Sequence, residues 1–484
     1  MTSKEKRGII LNQQYGKDLT TGSIPKHLIQ FALPILIGNL LTTGYGIINT
    51  IWVGNLLGKE AVGAVAVSFP IYLALVALCS GATLATSIMI SKAYGAKDNG
   101  RIQKIVNHSW SIGILIIAVV TVGGIVFSKN LLRLLGTPND ILPLATGYLR
   151  LTMLNFAGLY LSSLISSVLR GIGDTTIPLI FIILSTAVNA VLDPLLILGP
   201  GPIPALSLNG AAIASFIATG TAVIPGFIYT KHKYKKEPLN PTAWEFDGHT
   251  VLEILKIGLP SFIQQMLVSM GYAFIIVFVN RYGAAATAAF GIASRIDSLV
   301  AMPAMAVMMA VSAMTAQNIG AGKLQRIKEI MKYGIIINIP VILIISVLCI
   351  LIPQDIMRIF VGEGDVIQTG AAYLKIVGPG YLFFTVFYVS NGIINGAGKT
   401  ITTMVISFIS LCLIRIPLAG YLSQHSALGL NGIWLAIVIS FAATTLNSLL
   451  YNFFGNWKKN MHLSSNDVYP CRQEDMVPSL KNQD

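Results

Sequence analysis

The hydrophobic positions of this chain form long unbroken runs, which are separated by short stretches of charged residues, prolines and glycines. A helix needs about 20 apolar residues to cross a hydrocarbon layer of roughly 30 Å, and the runs reach that length. They are continuously apolar instead of alternating, so the pattern predicts membrane helices and not a β-barrel. We expect twelve such helices, called spans 1 to 12, at residues 28–54, 61–91, 105–128, 141–169, 175–199, 208–230, 252–280, 285–318, 330–353, 367–395, 400–423 and 430–454.

The composition supports a membrane environment. Of the 484 residues, 54% are hydrophobic and only 11% are charged, and the mean hydropathy is +0.72. Soluble globular chains carry about 25% charged residues. These values and the twelve predicted helices indicate an all-α integral membrane protein. The four cysteines show no metal-ligand spacing, and we expect them to pack as free thiols.

Lysine and arginine mark one side of the membrane. Most of the 33 basic residues lie in the N-terminal tail, in the loops after spans 2, 6 and 8, and in the C-terminal tail. The positive-inside rule assigns these segments to the cytoplasm. We therefore predict a plasma-membrane protein with both termini cytoplasmic. The net charge of +13 follows from this asymmetry and from the anionic lipid of the inner face, so it does not indicate a nucleic-acid partner.

The chain contains an internal repeat. A shift of 225 residues aligns "GAKDNGRIQKI" with "GAGKLQRIKEI" and places Gly95 on Gly320. Each repeat holds six spans, an even number, so both halves begin on the same side of the membrane, as in many transporters. The predicted division is an N-terminal lobe at 1–230, a cytoplasmic linker at 231–251, a C-terminal lobe at 252–455 and a tail at 456–484. A cleft between two such lobes can open to either side.

Asp193, in the segment "NAVLDPLLI", is the only Asp, Glu, Lys or Arg within residues 176–229. Ionisable residues inside a span usually face a cavity and carry function. Asn189 lies one helical turn earlier on the same face, and Pro194 leaves the carbonyl of Ala190 without its helical donor. Three kinds of oxygen thus converge, which suits a proton or a hard cation such as Na⁺. The alternative is that Asp193 is a helix-end residue beside a proline kink.

Several segments together resemble a known transporter family. They are "FALPILIGNLL", "IINTIWVGNLLG", "ISKAYGAKD", "LRGIGDTTIPL", "NAVLDPLLILG", "LNGAAIAS", "ASRIDSLVAMP", "QNIGAGK" and "LIRIPLAGYL". Their order and spacing, over about residues 25 to 455, resemble the MATE family of multidrug and toxin extrusion antiporters. The resemblance implies a V-shaped, two-lobe transporter. It also implies a secondary antiporter that exports amphipathic, often cationic, drugs or metabolites in exchange for H⁺ or Na⁺.

The resemblance extends to the ion-coupling residues, with one departure. The pair Asn189 and Asp193 resembles the coupling site of the DinF-like branch of the family. Many members also carry an Asp in span 1, where this chain has Asn49, an amide that cannot take up a proton near neutral pH. The resemblance therefore implies an ion-coupling site of Asp193, Asn189 and Asn49 in which Asp193 alone titrates.

Two further charges lie deep in the second half, Asp297 in span 8 and Arg415 in span 11. A buried acid and base neutralise each other most cheaply, which favours a structural ion pair between these spans. The alternative is that Asp297 serves as the counter-charge of a cationic substrate. Further residues are expected to line the substrate cavity or to surround this pair, namely Gln264, Gln265, Tyr45, Tyr272 and Met305.

The sequence shows no motif of an enzyme or of a cofactor site. It has no Walker loop, catalytic triad or metal-ligand spacing, so we expect an ion gradient to supply the energy for transport, and no metal apart from Na⁺ at Asp193. The expected partners are small-molecule substrates and the lipid bilayer, and the chain is expected to be a monomer. The main alternative is a flippase for a lipid-linked precursor, which would favour a basic cavity able to hold a pyrophosphate.

Overall fold

The computed structural model describes residues 16–199, 205–234 and 238–455, and in these ranges the chain forms helices and no strand. In the first half the helices are Ile24–Gly95 for spans 1 and 2, then Asn99–Leu134, Leu142–Gly171, Thr176–Leu198 and Ser207–Lys233. In the second half they are Gly248–Val279, Ala284–Gly320, Gln325–Leu351, Pro353–Arg358, Gly364–Val377, Tyr381–Gly396, Thr400–Phe408, Ile416–His425 and Leu430–Phe454.

The first helix consists of two membrane crossings joined end to end. It has 72 residues, or roughly 110 Å at 1.5 Å per residue, far more than one crossing requires. Its geometry breaks at Gly58, where φ is 77° and ψ is −169°. Gly283, which the internal repeat aligns with Gly58, has φ 91° and ψ 179° between spans 7 and 8. The described residues contain eleven helices long and apolar enough to cross a membrane, and with the first counted twice the twelve predicted spans are confirmed.

The helices extend beyond the predicted membrane segments. Span 2, expected at 61–91, continues to Gly95, and span 3, expected at 105–128, already begins at Asn99. Span 3 begins early because Asp98 caps it by accepting a hydrogen bond from the backbone N–H of Arg101. The segment between the helices of spans 6 and 7 is likewise shorter than the predicted linker at 231–251, because these helices end at Lys233 and begin at Gly248. Its residues 235–237 and the tail 456–484 lie outside the described residues, and the division into two lobes at 1–230 and 252–455 remains a prediction.

The two halves meet where spans 2 and 8 cross. A Cβ atom added to Gly95 would lie 2.0 Å from the carbonyl oxygen of Gln317, and one added to Gly320 would lie 1.9 Å from that of Lys92. The two glycines that the repeat aligns therefore allow the backbones to touch. On the same face, residues 16–23, here called the strap, precede span 1 and bind to both halves.

The strap is hydrogen-bonded to both halves of the protein. Toward the first half, the backbone N–H of Lys17 donates to the carbonyl of Ile172 at 2.9 Å. Toward the second half, the backbone N–H of Leu19 donates to Oε1 of Gln317 at 3.0 Å. The buried side chain of Leu19 packs in a core cluster with residues of spans 1, 8, 9 and 10. Gln317 also donates through Nε2 to the carbonyl of Gly171, so its side chain bridges the two halves directly.

Spans 10 and 11 are irregular. Span 10 contains a 3₁₀ turn at Gly378–Gly380, and span 11 contains a π-helical segment at Ile409–Arg415. A π segment inserts extra backbone into a helix and is frequent at functional sites. Here it ends at Arg415 and therefore sets the direction of that side chain.

Candidate ion-coupling site

Asp193 is completely buried in the helix Thr176–Leu198. Its Oδ2 atom accepts hydrogen bonds from the hydroxyl of Tyr45 and from Nδ2 of Asn49, the latter at 2.7 Å. Nδ2 of Asn49 also donates to the Tyr45 hydroxyl at 2.9 Å. Tyr45 and Asn49 are four residues apart on span 1, so they share one helix face. Span 1 thus supplies two donors to a single carboxylate oxygen of span 5.

The other carboxylate oxygen has no such partner. Oδ1 of Asp193 is buried and forms no hydrogen bond with any described residue, and the same holds for Oδ1 of Asn189 one turn earlier. Nδ2 of Asn189 donates to Oγ of Ser215 on span 6 at 3.3 Å, which fixes the amide with its oxygen free. Buried oxygens usually have a partner. Other hydroxyl and amide oxygens in the described bundle also lack one, but Oδ1 of Asp193 is the one carboxylate oxygen among them. Two free oxygens on one helix face are therefore suited to accept a proton or to ligate a hard cation.

The structure contradicts the predicted contact ion pair in the second half. Oδ2 of Asp297 accepts from the hydroxyl of Tyr373 at 2.6 Å, and Oδ1 accepts from that of Tyr381 at 2.5 Å. Nε of Arg415 donates to Oγ of Ser440 at 2.7 Å, and its guanidinium lies 4.9 Å from the ring centre of Phe441. No salt bridge joins the two charges.

The physical reason is the geometry of spans 10 and 11. Two tyrosines of span 10 occupy both oxygens of Asp297, and the π segment directs Arg415 toward span 12. Both residues remain buried, so each still experiences the charge of the other through a medium of low dielectric constant. Asp297 therefore ties span 8 to span 10, whereas Asp193 keeps one oxygen free.

The remaining predicted cavity residues are dispersed. Gln264 bonds Oγ of Ser407 at 3.0 Å and accepts from Thr403 at 3.3 Å, and so links spans 7 and 11. Tyr272 is half-buried against the core of the second half. The side chains of Gln265 and Met305 are exposed. No described hydrogen bond joins any of these residues to Asp193.

Two members of the Asp193 cluster were not expected there from sequence. The sequence predicts Tyr45 as a cavity residue, although its i, i+4 relation to Asn49 also indicates a shared helix face. Ser215 lies in the motif "LNGAAIAS" of span 6, and nothing in its spacing indicates that it orients Asn189. The site therefore draws on spans 1, 5 and 6 together.

Comparison with known proteins gives the class of this protein. The family model described as MatE matches residues 34–195 and 260–420, once in each repeat. The chain therefore belongs to the MATE family of multidrug efflux transporters, which are multi-pass membrane proteins. The expected resemblance is thereby confirmed for the family, while the assignment to the DinF-like branch remains a prediction.

Individual relatives extend over nearly the whole chain. The "Probable multidrug resistance protein YpnP" of Bacillus subtilis (strain 168) is 35% identical over 446 residues, which cover 91% of this chain and 97% of that protein. "Multidrug export protein MepA" of Staphylococcus aureus (strain MSSA476) is 25% identical, with coverage of 88% and 92%. The solved structure "Outward-facing conformation of a multidrug resistance MATE family transporter of the MOP superfamily" shares the fold, with a TM-score of 0.83, 21% identity and coverage of 93% and 98%.

Proposed function

We propose that this protein is a secondary active antiporter that exports amphipathic, often cationic, small molecules in exchange for H⁺ or Na⁺, and that Asp193 is the coupling acid. The observation that carries the proposal is the pair of buried, unpartnered oxygens on Asp193 and Asn189. The names of the relatives YpnP and MepA support drugs as the substrate class.

The coupling step follows from the hydrogen bonds around Asp193. A carboxylate accepts charge-assisted hydrogen bonds that are roughly twice as strong as those of a neutral acid. When H⁺ binds Asp193, or when Na⁺ neutralises it, the bonds from Tyr45 and Asn49 therefore weaken. Spans 1 and 5 then lose an attraction that held them together. Ion binding in this way changes the packing of the N-terminal half. This change would release a substrate that is bound between the two halves.

Alternating access requires a contact that can open. The strap and Gln317 join the halves on the face where the described chain begins and ends, which we assign to the cytoplasm of a plasma-membrane protein. In this state a substrate would leave on the opposite side. Loss of these contacts would admit substrate from the cytoplasm. Each chain contains one complete set of both halves, so the monomer is the proposed working unit.

The flippase alternative receives less support. It would favour buried basic side chains deep in the membrane that are free to hold a pyrophosphate. Arg415 is already engaged with Ser440 and Phe441, and Arg295 is exposed. Arg170 has a buried Nε without a partner among the described residues, but it lies in the last turn of span 4 and not near the middle of the span. A transporter without catalysis or a bound cofactor fits the site better, because the buried carboxylates are held by hydroxyls and amides.

The proposal is tested by reconstituting the purified protein in sealed vesicles and following ethidium or norfloxacin export. A pH gradient and a Na⁺ gradient are imposed in separate experiments. We expect at least one gradient to drive export, and collapse of that gradient by an ionophore to stop it. Export that proceeds equally without either gradient would refute antiport.

A further inference from the structure

The segment between spans 6 and 7 is docked on the protein instead of hanging free. Its described residues, 238–247, lie against the start of span 3. The backbone N–H of Thr242 donates to Oδ1 of Asn107 at 3.0 Å, and Nδ2 of Asn107 donates to Oε1 of Glu245 at 3.1 Å. Leu239 is buried in the core of the first half. The segment is therefore held by both backbone and side-chain contacts.

His108 fixes the end of this docked segment. The ring is buried, and its Nδ1 atom bonds the carbonyl of Lys104 at 2.7 Å, while Nε2 accepts from the backbone N–H of Asp247 at 2.7 Å. Asp247 is the N-cap of span 7. The hydroxyl and backbone N–H of Thr250 hold the pKa of Asp247 below its usual range, so it caps the helix as a carboxylate. The direction of the segment is thus set at its last residue.

Docking leaves two aromatic side chains on the outside. Trp244 is 62% exposed and Phe246 is 52% exposed, and their rings form an edge contact with centroids 5.7 Å apart. Glu245, between them, faces Asn107 on the protein side. The alternation of an extended chain explains why the two neighbours of Glu245 point together in the opposite direction.

The depth of this pair is given by the helices that flank it. On span 3 the docking residue His108 lies six residues before Ile114, the first of a series of exposed apolar side chains that continues toward the centre of the span. Six residues correspond to about 9 Å of helix. On span 7 the exposed Lys256 lies among the exposed side chains of Leu252, Leu255 and Leu259, so the first turns of this helix have the mixed character of a head-group layer. The aromatic pair precedes these turns and lies outside the apolar series of span 3.

We infer that Trp244 and Phe246 insert into the interfacial layer of the membrane leaflet on the side of the strap, where they anchor the inter-half segment to lipid. Tryptophan is enriched at this depth because its ring is amphipathic. Exposed Lys104, Lys231 and Lys256 lie at the ends of spans 3, 6 and 7 and complement anionic head groups. The connection between the two halves then acts as a fixed point on the membrane while the halves move.

The test is tryptophan fluorescence of the full-length protein in phosphatidylcholine vesicles containing phosphatidylglycerol. The Trp244 signal is the difference between wild type and Trp244→Phe, so the other tryptophans need not be removed. We expect lipids labelled with a nitroxide near the head group to quench this signal several-fold more than lipids labelled near the chain ends. Aqueous iodide should quench it only weakly. The corresponding difference for Trp434→Phe is the control, because Trp434 is fully buried and should respond to neither quencher.

A second variant tests whether docking of the segment 238–247 holds the aromatic pair at the lipid surface. His108→Ala removes the acceptor for the Asp247 N–H, so iodide quenching of Trp244 should rise in vesicles. Two results would overturn the inference. One is strong iodide quenching with no lipid quenching in the wild-type protein, which would place the pair in water. The other is protection from both quenchers, which would mean that a protein surface covers it.

Discussion

Asn49 on span 1 donates a hydrogen bond of 2.7 Å to the carboxylate of Asp193 on span 5. This chain thus places an amide donor of span 1 directly on the buried carboxylate of span 5. An amide at this position stabilises the ionised form of Asp193 without competing for the proton. Asp193 is therefore the single carboxylate of this cluster that can take up a proton.

The first prediction follows from that contact. Asn49→Asp would place two carboxyl groups within hydrogen-bonding distance, and two such groups cannot both be ionised cheaply. We expect export to remain active and its dependence on pH or Na⁺ to change, because the two carboxyl groups at positions 49 and 193 would bind one proton or cation together. Export rates in vesicles over a range of pH values measure this. A pH profile identical to wild type would show that Asn49 is not coupled to Asp193.

The second prediction concerns Asp297 and Arg415. Asp297→Ala leaves the hydroxyls of Tyr373 and Tyr381 unsatisfied, at a cost of about 1–3 kcal/mol each. Because the two charges form no contact ion pair, Arg415→Ala should add its own destabilisation. The double variant should therefore unfold at a lower temperature than either single variant. If the double variant were more stable than Arg415→Ala alone, the charge of Arg415 would be required to neutralise Asp297, and the two residues would act as an ion pair.

The third prediction concerns the side chain that bridges the halves. Gln317→Ala removes one bond to the strap and one to the carbonyl of Gly171, so the closed face should open more often. A cysteine introduced in place of Leu19, which is buried in the wild type, should then react faster with a water-soluble maleimide. Gln265→Ala is the matched control, because that glutamine is exposed. Equal reaction rates in both backgrounds would exclude a role for Gln317 in closure.

The fourth prediction concerns the turn between spans 1 and 2. Gly58 has a positive φ and open space around its Cα, so Gly58→Ala should destabilise through backbone strain alone, by about 1–2 kcal/mol. Gly123 also has open space but lies within a regular helix. Gly123→Ala should therefore be neutral or stabilising. Thermal unfolding of the two variants in detergent measures the difference, and a loss of equal size in both would argue against strain at Gly58.

Much of the architecture could be predicted from sequence because each membrane crossing imposes a long apolar run. The repeat is also visible in the sequence, and the gap between predicted spans 1 and 2 contains Gly58, which a shift of 225 residues places on Gly283. The helix ends were less predictable. Charged residues near Gly95 and Asn99 indicated a loop, yet capping by Asp98 lets the helices continue outside the membrane.

The side-chain partners inside the bundle could not be predicted in the same way. Asp297 was expected to pair with Arg415 by charge, but span 10 brings Tyr373 and Tyr381 to both of its oxygens. This depends on the rotation of packed helices, which hydrophobicity does not encode at the level of single residues. Asp193 itself was recognisable, because it is the only ionisable side chain in a long apolar segment.

The central claim is that Asp193 couples export to an ion gradient. Asp193→Asn keeps the size of the side chain but cannot titrate, so it should fold and bind drug while losing gradient-driven export. Asn189→Ala should weaken export less completely, because it removes an oxygen without removing the charge. Asp297→Asn is the matched control, a buried carboxylate whose oxygens are both hydrogen-bonded, and it should retain ion dependence.

The most direct measurement is drug efflux from vesicles that contain purified Asp193→Asn protein, under an imposed H⁺ or Na⁺ gradient, with wild type and Asp297→Asn measured in parallel. The account predicts drug binding like that of the wild type and no acceleration of efflux by either gradient. Efflux by Asp193→Asn at the wild-type gradient-driven rate would contradict it and would make Asp193 a structural residue.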